Sequence, residues 1–122
     1  MTFRHLTLPT EDVERTAEFF EQAFGYRRGA IPGNSPVATQ WLDIGGGQQI
    51  HVVYVEGFAV SAFEGEFGRH IAVSFPPDQF PTVKSRLADA GGEIITPLRP
   101  TPFERFFARE PVNGYVIEVI QQ

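Results

Sequence analysis

The sequence predicts an α+β domain built from two equivalent halves, each reading strand, helix, then about three strands. Three observations carry that prediction. Residues 4–8 read RHLTL and residues 69–73 read RHIAV, so an Arg-His pair opens a short apolar strand twice, 65 residues apart. Residues 47–53 read GQQIHVV and residues 114–120 read GYVIEVI, and Gly47, Ile50, Val52 and Val53 recur as Gly114, Ile117, Val119 and Ile120. Between the paired stretches each half places one segment of helical periodicity. Repeats of this kind bound the fold before any single motif does.

The elements follow in order. RHLTL is the first strand. In DVERTAEFFEQAF the apolar residues Val13, Ala17, Phe20 and Phe24 fall on one helical face, with Thr10 as the expected N-cap and Gly25 at the C-terminal cap. The loop GAIPGNSPVA leads to strands TQWLDI and QQIHVVYV, joined by a tight turn at Gly45-Gly46-Gly47. That glycine run lacks the GxxxxGK[ST] frame and is no phosphate loop. GFAVSAFEGEFG reads as the linker between modules of approximately 1–57 and 67–122. GRHIAVSF then opens the second half as the start of a buried strand. In FPTVKSRLADAGG the residues Phe80, Val83, Leu87 and Ala90 define the second helix, with Pro81 in its first turn and Gly91-Gly92 ending it. Strands EIITPL, RFFARE and YVIEVI close the chain, the first two separated by the loop PLRPTPFE and the last two by a turn at Asn113-Gly114.

Composition bounds the function. The chain has 122 residues, enough for one domain with a real core, and an ordinary apolar fraction of 42%. Phenylalanine is overused at 12 residues, which favours a tightly packed interior or an aromatic-lined pocket. The net charge is −5 with no basic run, so nucleic acid is not expected as a partner. No apolar run reaches the roughly 18 residues of a membrane span, and MTFRHLTLPTEDVE has no signal pattern; a cytoplasmic protein is expected. With no cysteine, disulfides and thiolate chemistry are excluded, and a metal site must draw on three histidines and the carboxylates. GxSxG is absent, which removes the serine hydrolase reading.

Strand alternation sorts the histidines. His5 shares a face with Phe3 and Thr7, and His70 shares one with Ala72 and Ser74; the opposite faces are apolar and suit packing under the helices. In the later strands His51 shares a face with Gln49 and Val53, and in the repeat alignment it falls opposite Glu118. All three histidines therefore occupy repeat-equivalent positions, and the fourth such position holds a carboxylate flanked by Ile117 and Val119, which needs a partner. Two halves related by a pseudo-twofold axis could bring His5, His51, His70 and Glu118 to one point as nitrogen and oxygen ligands for one divalent ion: Zn, Ni, Co, Mn or Fe. Arg4 and Arg69 alternate to the opposite face and are expected to be structural.

The chain resembles the vicinal oxygen chelate superfamily, which includes glyoxalase I, bleomycin-resistance proteins and extradiol dioxygenases. The resemblance rests on HLTLPTEDVERTAEFFEQAFGY, GRHIAVSF, the helix ending LADAGGE, and FFAREPVNGYVIEVI. It departs from the usual acidic turn at Glu110-Pro111-Val112-Asn113-Gly114, a segment not expected to touch metal. The resemblance implies two βαβββ modules forming a curved half-open β-barrel with helices on the outer face, and metal positions mapping to His5, His51, His70 and Glu118. His51 stands at the position that varies in the family.

By the same resemblance the metal polarises substrate oxygens and stabilises an oxyanion or enolate, in a lyase, isomerase or thiol-transferase reaction. Two alternatives stand beside it: an Fe(II) extradiol-type dioxygenase, and a non-catalytic protein sequestering a drug or metabolite. Glu118, the one ionisable oxygen ligand, is the catalytic candidate for moving a proton. Gln49, Trp41, Phe106 and Tyr115 are candidate pocket residues, and Arg105, with Arg99 and Arg109, is a candidate for holding an anionic substrate. Open sheet edges in so small a chain lead us to expect a homodimer taking a small-molecule substrate.

Overall fold

The alternating and helical patterns fold into two βαβββ modules. The computed structural model describes all of Met1–Gln122 and divides into the units Met1–Ala59 and Val60–Gln122. In the first, strand β1 (His5–Thr10) leads into helix α1 (Val13–Phe24), followed by β2 (Arg27–Arg28), β3 (Thr39–Gly45) and β4 (Gln48–Tyr54). Its sheet runs β1-β4-β3-β2. In the second, β5 (Ile71–Phe75) precedes helix α2 (Phe80–Asp89), then β6 (Glu93–Ile95), β7 (Arg105–Arg109) and β8 (Val116–Gln121), in the order β5-β8-β7-β6. In both sheets the first strand pairs parallel with the last, and the other pairs are antiparallel.

The register reproduces the sequence repeat. Thr7 lies opposite His51 in the first sheet and Ala72 lies opposite Glu118 in the second. His51 and Glu118 are thus equivalent positions in backbone terms.

One face of each sheet is sealed by its helix. In the first unit Val13, Ala17, Phe20 and Phe24 of α1 are buried, as are Leu8, Leu42, Ile50 and Val52 of the sheet. In the second, Phe80, Val83 and Leu87 of α2 are buried, along with Phe106, Ile117 and Val119. Period-two alternation and a 3.6-residue helical stripe meet in each core.

Two local expectations change. The N-cap of α1 is Asp12, not Thr10: its side chain accepts a hydrogen bond from Arg15 N at 3.0 Å. Thr10 sits two residues earlier at the end of β1 and is buried, its hydroxyl accepting from Asp12 N and lying 3.0 Å from that of Thr16. The C-terminal cap is Gly25 as expected, at φ 72°, where a side chain would be strained. The second change concerns GRHIAVSF. Ile71, Val73 and Phe75 are half-buried rather than buried. Strand β5 lies at the edge of its sheet, so one flank has no neighbouring strand to cover it.

Candidate metal centre

The second module gathers its polar side chains into one chain of contacts. His70 sits just before β5 and Glu118 lies in the middle of β8. Imidazole Nε2 is 3.2 Å from carboxylate Oε1. The other ring nitrogen, Nδ1, lies 3.0 Å from the Gly65 carbonyl oxygen. A carbonyl only accepts, so Nδ1 carries the hydrogen. Nε2 then faces an anionic oxygen, either as the donor of a doubly protonated ring or with its lone pair. In the second state the two atoms repel unless a cation stands between them. Two ligand atoms each about 2.1 Å from one ion are about 3.0–3.4 Å apart at tetrahedral or octahedral angles, which this spacing matches. A histidine whose far nitrogen is tied to a carbonyl is also the usual arrangement behind a metal ligand.

The other oxygen of Glu118 is held by Arg105, with Nη1 donating to Oε2 at 2.8 Å. Arg105 is 4% exposed in its side chain, and its Nη2 also donates to Glu66 Oε2 at 3.0 Å and to the Arg99 carbonyl at 2.7 Å. Hydrogen bonding to Glu118 first, and then to Glu66, raises the Arg105 guanidinium above its ordinary value against the opposing effect of burial. Burial would raise Glu66, but the N–H groups of Leu98 and Arg99 and the Arg105 guanidinium outweigh it, and the carboxyl is lowered. Arg105 is therefore spent on two carboxylates rather than presented to an anionic substrate. With one oxygen on Arg105 and the other facing His70, Glu118 is anchored and not poised to swing free as a base.

The segment read as a linker supplies much of this support. Glu64 is buried, pairs with Arg69 at 3.2 Å and accepts from Val116 N at 3.2 Å. Glu66 accepts from Leu98 N and Arg99 N at 2.8 and 3.0 Å. A Cβ at Gly68 would collide with the Phe63 carbonyl, so the loop closes this tightly only with glycine there. Arg69 has a structural part: besides Glu64, its guanidinium lies over the Tyr115 ring at 5.3 Å.

In the first module the equivalent pair behaves differently. The His5 and His51 rings are stacked, centroids 3.9 Å apart and 14° between planes. Trp41, opposite His51 in the register, stacks on the other face of the same region at 3.9 Å and 5°. His51 Nε2 is 2.8 Å from Gln49 Oε1, and Gln49 Nε2 donates to Asp43 Oδ1 at 2.8 Å. Burial, and then the neighbouring His5, lower the His51 value from its ordinary 6.5. An imidazole lone pair lies in its ring plane, and planes this nearly parallel meet only far beyond the bonding distance of about 2.1 Å. Stacked in this way, His5 and His51 do not converge on one ion. Within neither unit does a group of three or more His, Asp or Glu side chains stand ready to hold a metal.

The remaining candidates divide. Gln49 and Trp41 are direct neighbours of His51. Phe106 does not share the Glu118 face: it is 3% exposed and packs edge-on against Phe80 of α2 at 5.6 Å. Tyr115 is fully buried, and that burial pushes its hydroxyl up to about 12. Both are core residues here. The aromatic residue beside the polar chain is Phe107, opposite Glu118 in the register and edge-on to His70 at 5.2 Å. A one-residue shift in reading RFFARE separates the two phenylalanines, and counting from Glu118 across the turn would have found the right one. Glu110 is wholly buried and accepts from the N–H groups of Val112, Asn113 and Tyr115, so it shapes the turn and stays clear of the polar chain.

The chain belongs to the Glyoxalase/Bleomycin resistance protein/Dioxygenase superfamily, whose family model matches residues 2–119. No curated protein sequence matches it. Among solved structures it is similar to the FosX fosfomycin resistance protein of Listeria monocytogenes, as a mutant complexed with Mn(II) and 1S,2S-dihydroxypropylphosphonic acid. That match has a TM-score of 0.80 and 17% identity, covering 98% of this chain and 91% of that one. FosX from Mesorhizobium loti gives a TM-score of 0.76 at 19% identity, covering 99% and 91%. A possible glyoxalase from Bacillus cereus gives 0.71 at 22%, covering 98% of each chain. At these identities the likeness is one of fold.

Proposed function

We propose that the protein is a divalent-metal-dependent enzyme acting on a small molecule, of the lyase, isomerase or transferase type, with His5, His70 and Glu118 as metal ligands. The observation that carries this is the His70–Glu118 edge: two ligand-type atoms 3.2 Å apart, with the histidine oriented by Gly65 and the carboxylate by Arg105. Family membership and structural neighbours described with Mn(II) support a divalent ion. When bound, the metal supplies charge to polarise substrate oxygens and stabilise an oxyanion. The chain's own part is to hold that ion's ligands still. Gly65 fixes the His70 tautomer, Arg105 holds one oxygen of Glu118 and leaves the other facing His70, and Phe107 walls the pair from one side. His51 serves in this reading as a packed ring between His5 and Trp41 rather than as a fourth ligand. The unpaired edges of β1 and β5 support a homodimer. No helix is long and apolar enough to cross a membrane, and we read the protein as cytoplasmic.

A second reading gains from the His51 stack. With His51 set aside, two histidines and one carboxylate remain, a set that also suits Fe(II) oxygenase chemistry with open positions. Elemental analysis of protein purified without an affinity tag decides between them. The proposal expects one Mn, Zn, Ni or Co per chain, lost in Glu118→Ala; stoichiometric iron would favour the oxygenase, and no metal at all would overturn both.

A further inference from the structure

The second module contains a cavity of about 320 Å³ that the metal centre does not account for. Its apolar wall is Phe67, Ile95, Leu98, Phe107 and Val116. Phe107 and Val116 are buried at its floor, while Phe67 and Leu98 are 71% and 80% exposed at its rim. The two exposed side chains form a small apolar rim around a concave, mostly apolar site, the usual form of a small-ligand pocket.

The cavity borders the polar chain through Gly65, Glu66 and Phe107. Phe107 lies directly opposite Glu118 across the antiparallel β7–β8 pair, and directly opposed residues emerge on the same face. Val116 precedes Glu118 by two positions on the same strand, so it shares that face as well. The Phe107 ring forms part of the cavity wall and meets His70 edge-on at 5.2 Å. An occupant is therefore separated from the His70–Glu118 edge by no more than one aromatic side chain. The cavity's two charged lining residues are Glu66 and Arg109. Glu66 is committed to Leu98 N, Arg99 N and Arg105, and Arg109 donates through Nη1 to the Gly114 carbonyl at 3.1 Å.

We propose that this cavity is a substrate subsite taking an uncharged apolar arm, the size of a phenyl or short branched alkyl group, on a molecule whose oxygens reach the His70–Glu118 edge. The inference rests on the proposed metal-dependent function and narrows its substrate class. The volume lies at the lower end of small-ligand pockets, which suits one ring or a branched chain rather than an extended cofactor. Glu66 gives the subsite its shape, because it ties the loop bearing Phe67 to the loop bearing Leu98.

Two measurements test the subsite, one of them independent of metal. In metal-free protein, toluene titration followed by methyl NMR should shift Ile95, Leu98 and Val116 but not Leu42 or Ile50 of the first module. In the Leu98→Asp/Phe67→Asp variant, altered only at the exposed rim, the Ile95 and Val116 shifts should disappear. In Mn(II)-loaded protein, benzohydroxamate should bind about tenfold or more tightly than acetohydroxamate, since the phenyl group removes apolar area from water. The rim variant should lose that preference while keeping its metal content and its acetohydroxamate affinity. Absence of toluene shifts in the native protein, unchanged shifts in the rim variant, or equal affinities for the two hydroxamates would each overturn the subsite. So would a second copy of the chain covering the rim, seen as a monomeric rim variant of a dimeric native protein without toluene shifts. Protein that holds no Mn(II) but shows the toluene shifts and their loss would overturn the metal reading alone.

Discussion

The two modules place their polar residues at matching backbone positions and use them differently. Thr7 opposite His51 and Ala72 opposite Glu118 are the same register point. At that point the first module makes a ring stack, His5 on His51 on Trp41, and the second makes an imidazole–carboxylate edge backed by Gly65, Arg105 and Glu66. The repeat fixes where a side chain emerges; its chemistry decides whether it packs through its face or bonds through its edge. Support differs too. Before β5 a loop is pinned by two carboxylates, Glu64 and Glu66. Before β1 the carbonyls of Phe3 and Arg4 accept from Gln48 Nε2 and Gln49 N with no carboxylate involved, and His5 is exposed.

The largest difference between modules should appear when the support is cut. Arg105→Met frees one oxygen of Glu118 and takes one of three donors from Glu66, and should weaken Mn(II) binding about 10–100-fold, the usual range for groups behind a metal ligand. The corresponding cut in the first module, Gln49→Leu, removes the partner of His51 and should change Mn(II) affinity by less than about threefold if His51 is no ligand. Titration of both variants by electron paramagnetic resonance makes the comparison; equal losses would erase the distinction between the modules.

A smaller effect separates packing from ligation at His51 itself. His51→Phe keeps a ring between His5 and Trp41 and should hold Mn(II) nearly as tightly as the native chain, whereas His51→Ala should bind several-fold more weakly through a loosened His5. Trp41 is the one tryptophan in the chain, so its emission reports whether the stack is intact in each variant.

The smallest effect is on stability with pH. His51 takes a proton less readily in the folded chain than its ordinary value of 6.5. Below that value the unfolded chain binds the proton first, so stability is full above pH 6.5 and declines as pH falls from there through the lowered folded value. Urea midpoints of chelator-treated protein should drop between pH 7 and pH 5, and His51→Phe should lose part of that slope. An unchanged slope would contradict the burial of a neutral His51.

Much of this was legible in the sequence. The two-half organisation followed from RHLTL against RHIAV and GQQIHVV against GYVIEVI, because a repeated apolar alternation leaves few ways to pair strands. The helices followed from Val13-Ala17-Phe20-Phe24 and Phe80-Val83-Leu87. Other features were not legible. That Glu64 and Glu66 turn inward depends on contacts with Val116, Leu98, Arg99 and Arg105, 30 or more residues away, which no local pattern encodes. Phe106 and Phe107 differ only in strand phase. Stacking of His5 on His51 is a matter of ring orientation, and strand alternation says which face a side chain is on but not how its plane is turned.

The central claim is that the histidines opening the two first strands, with Glu118, hold one metal. Its most direct test is metal content per chain, by elemental analysis of the His5→Ala/His70→Ala double variant with folding checked by circular dichroism. The account predicts a folded protein carrying no metal. A folded double variant that still holds one tightly bound metal per chain would contradict it, and His70 would then be an ordinary histidine paired with a carboxylate.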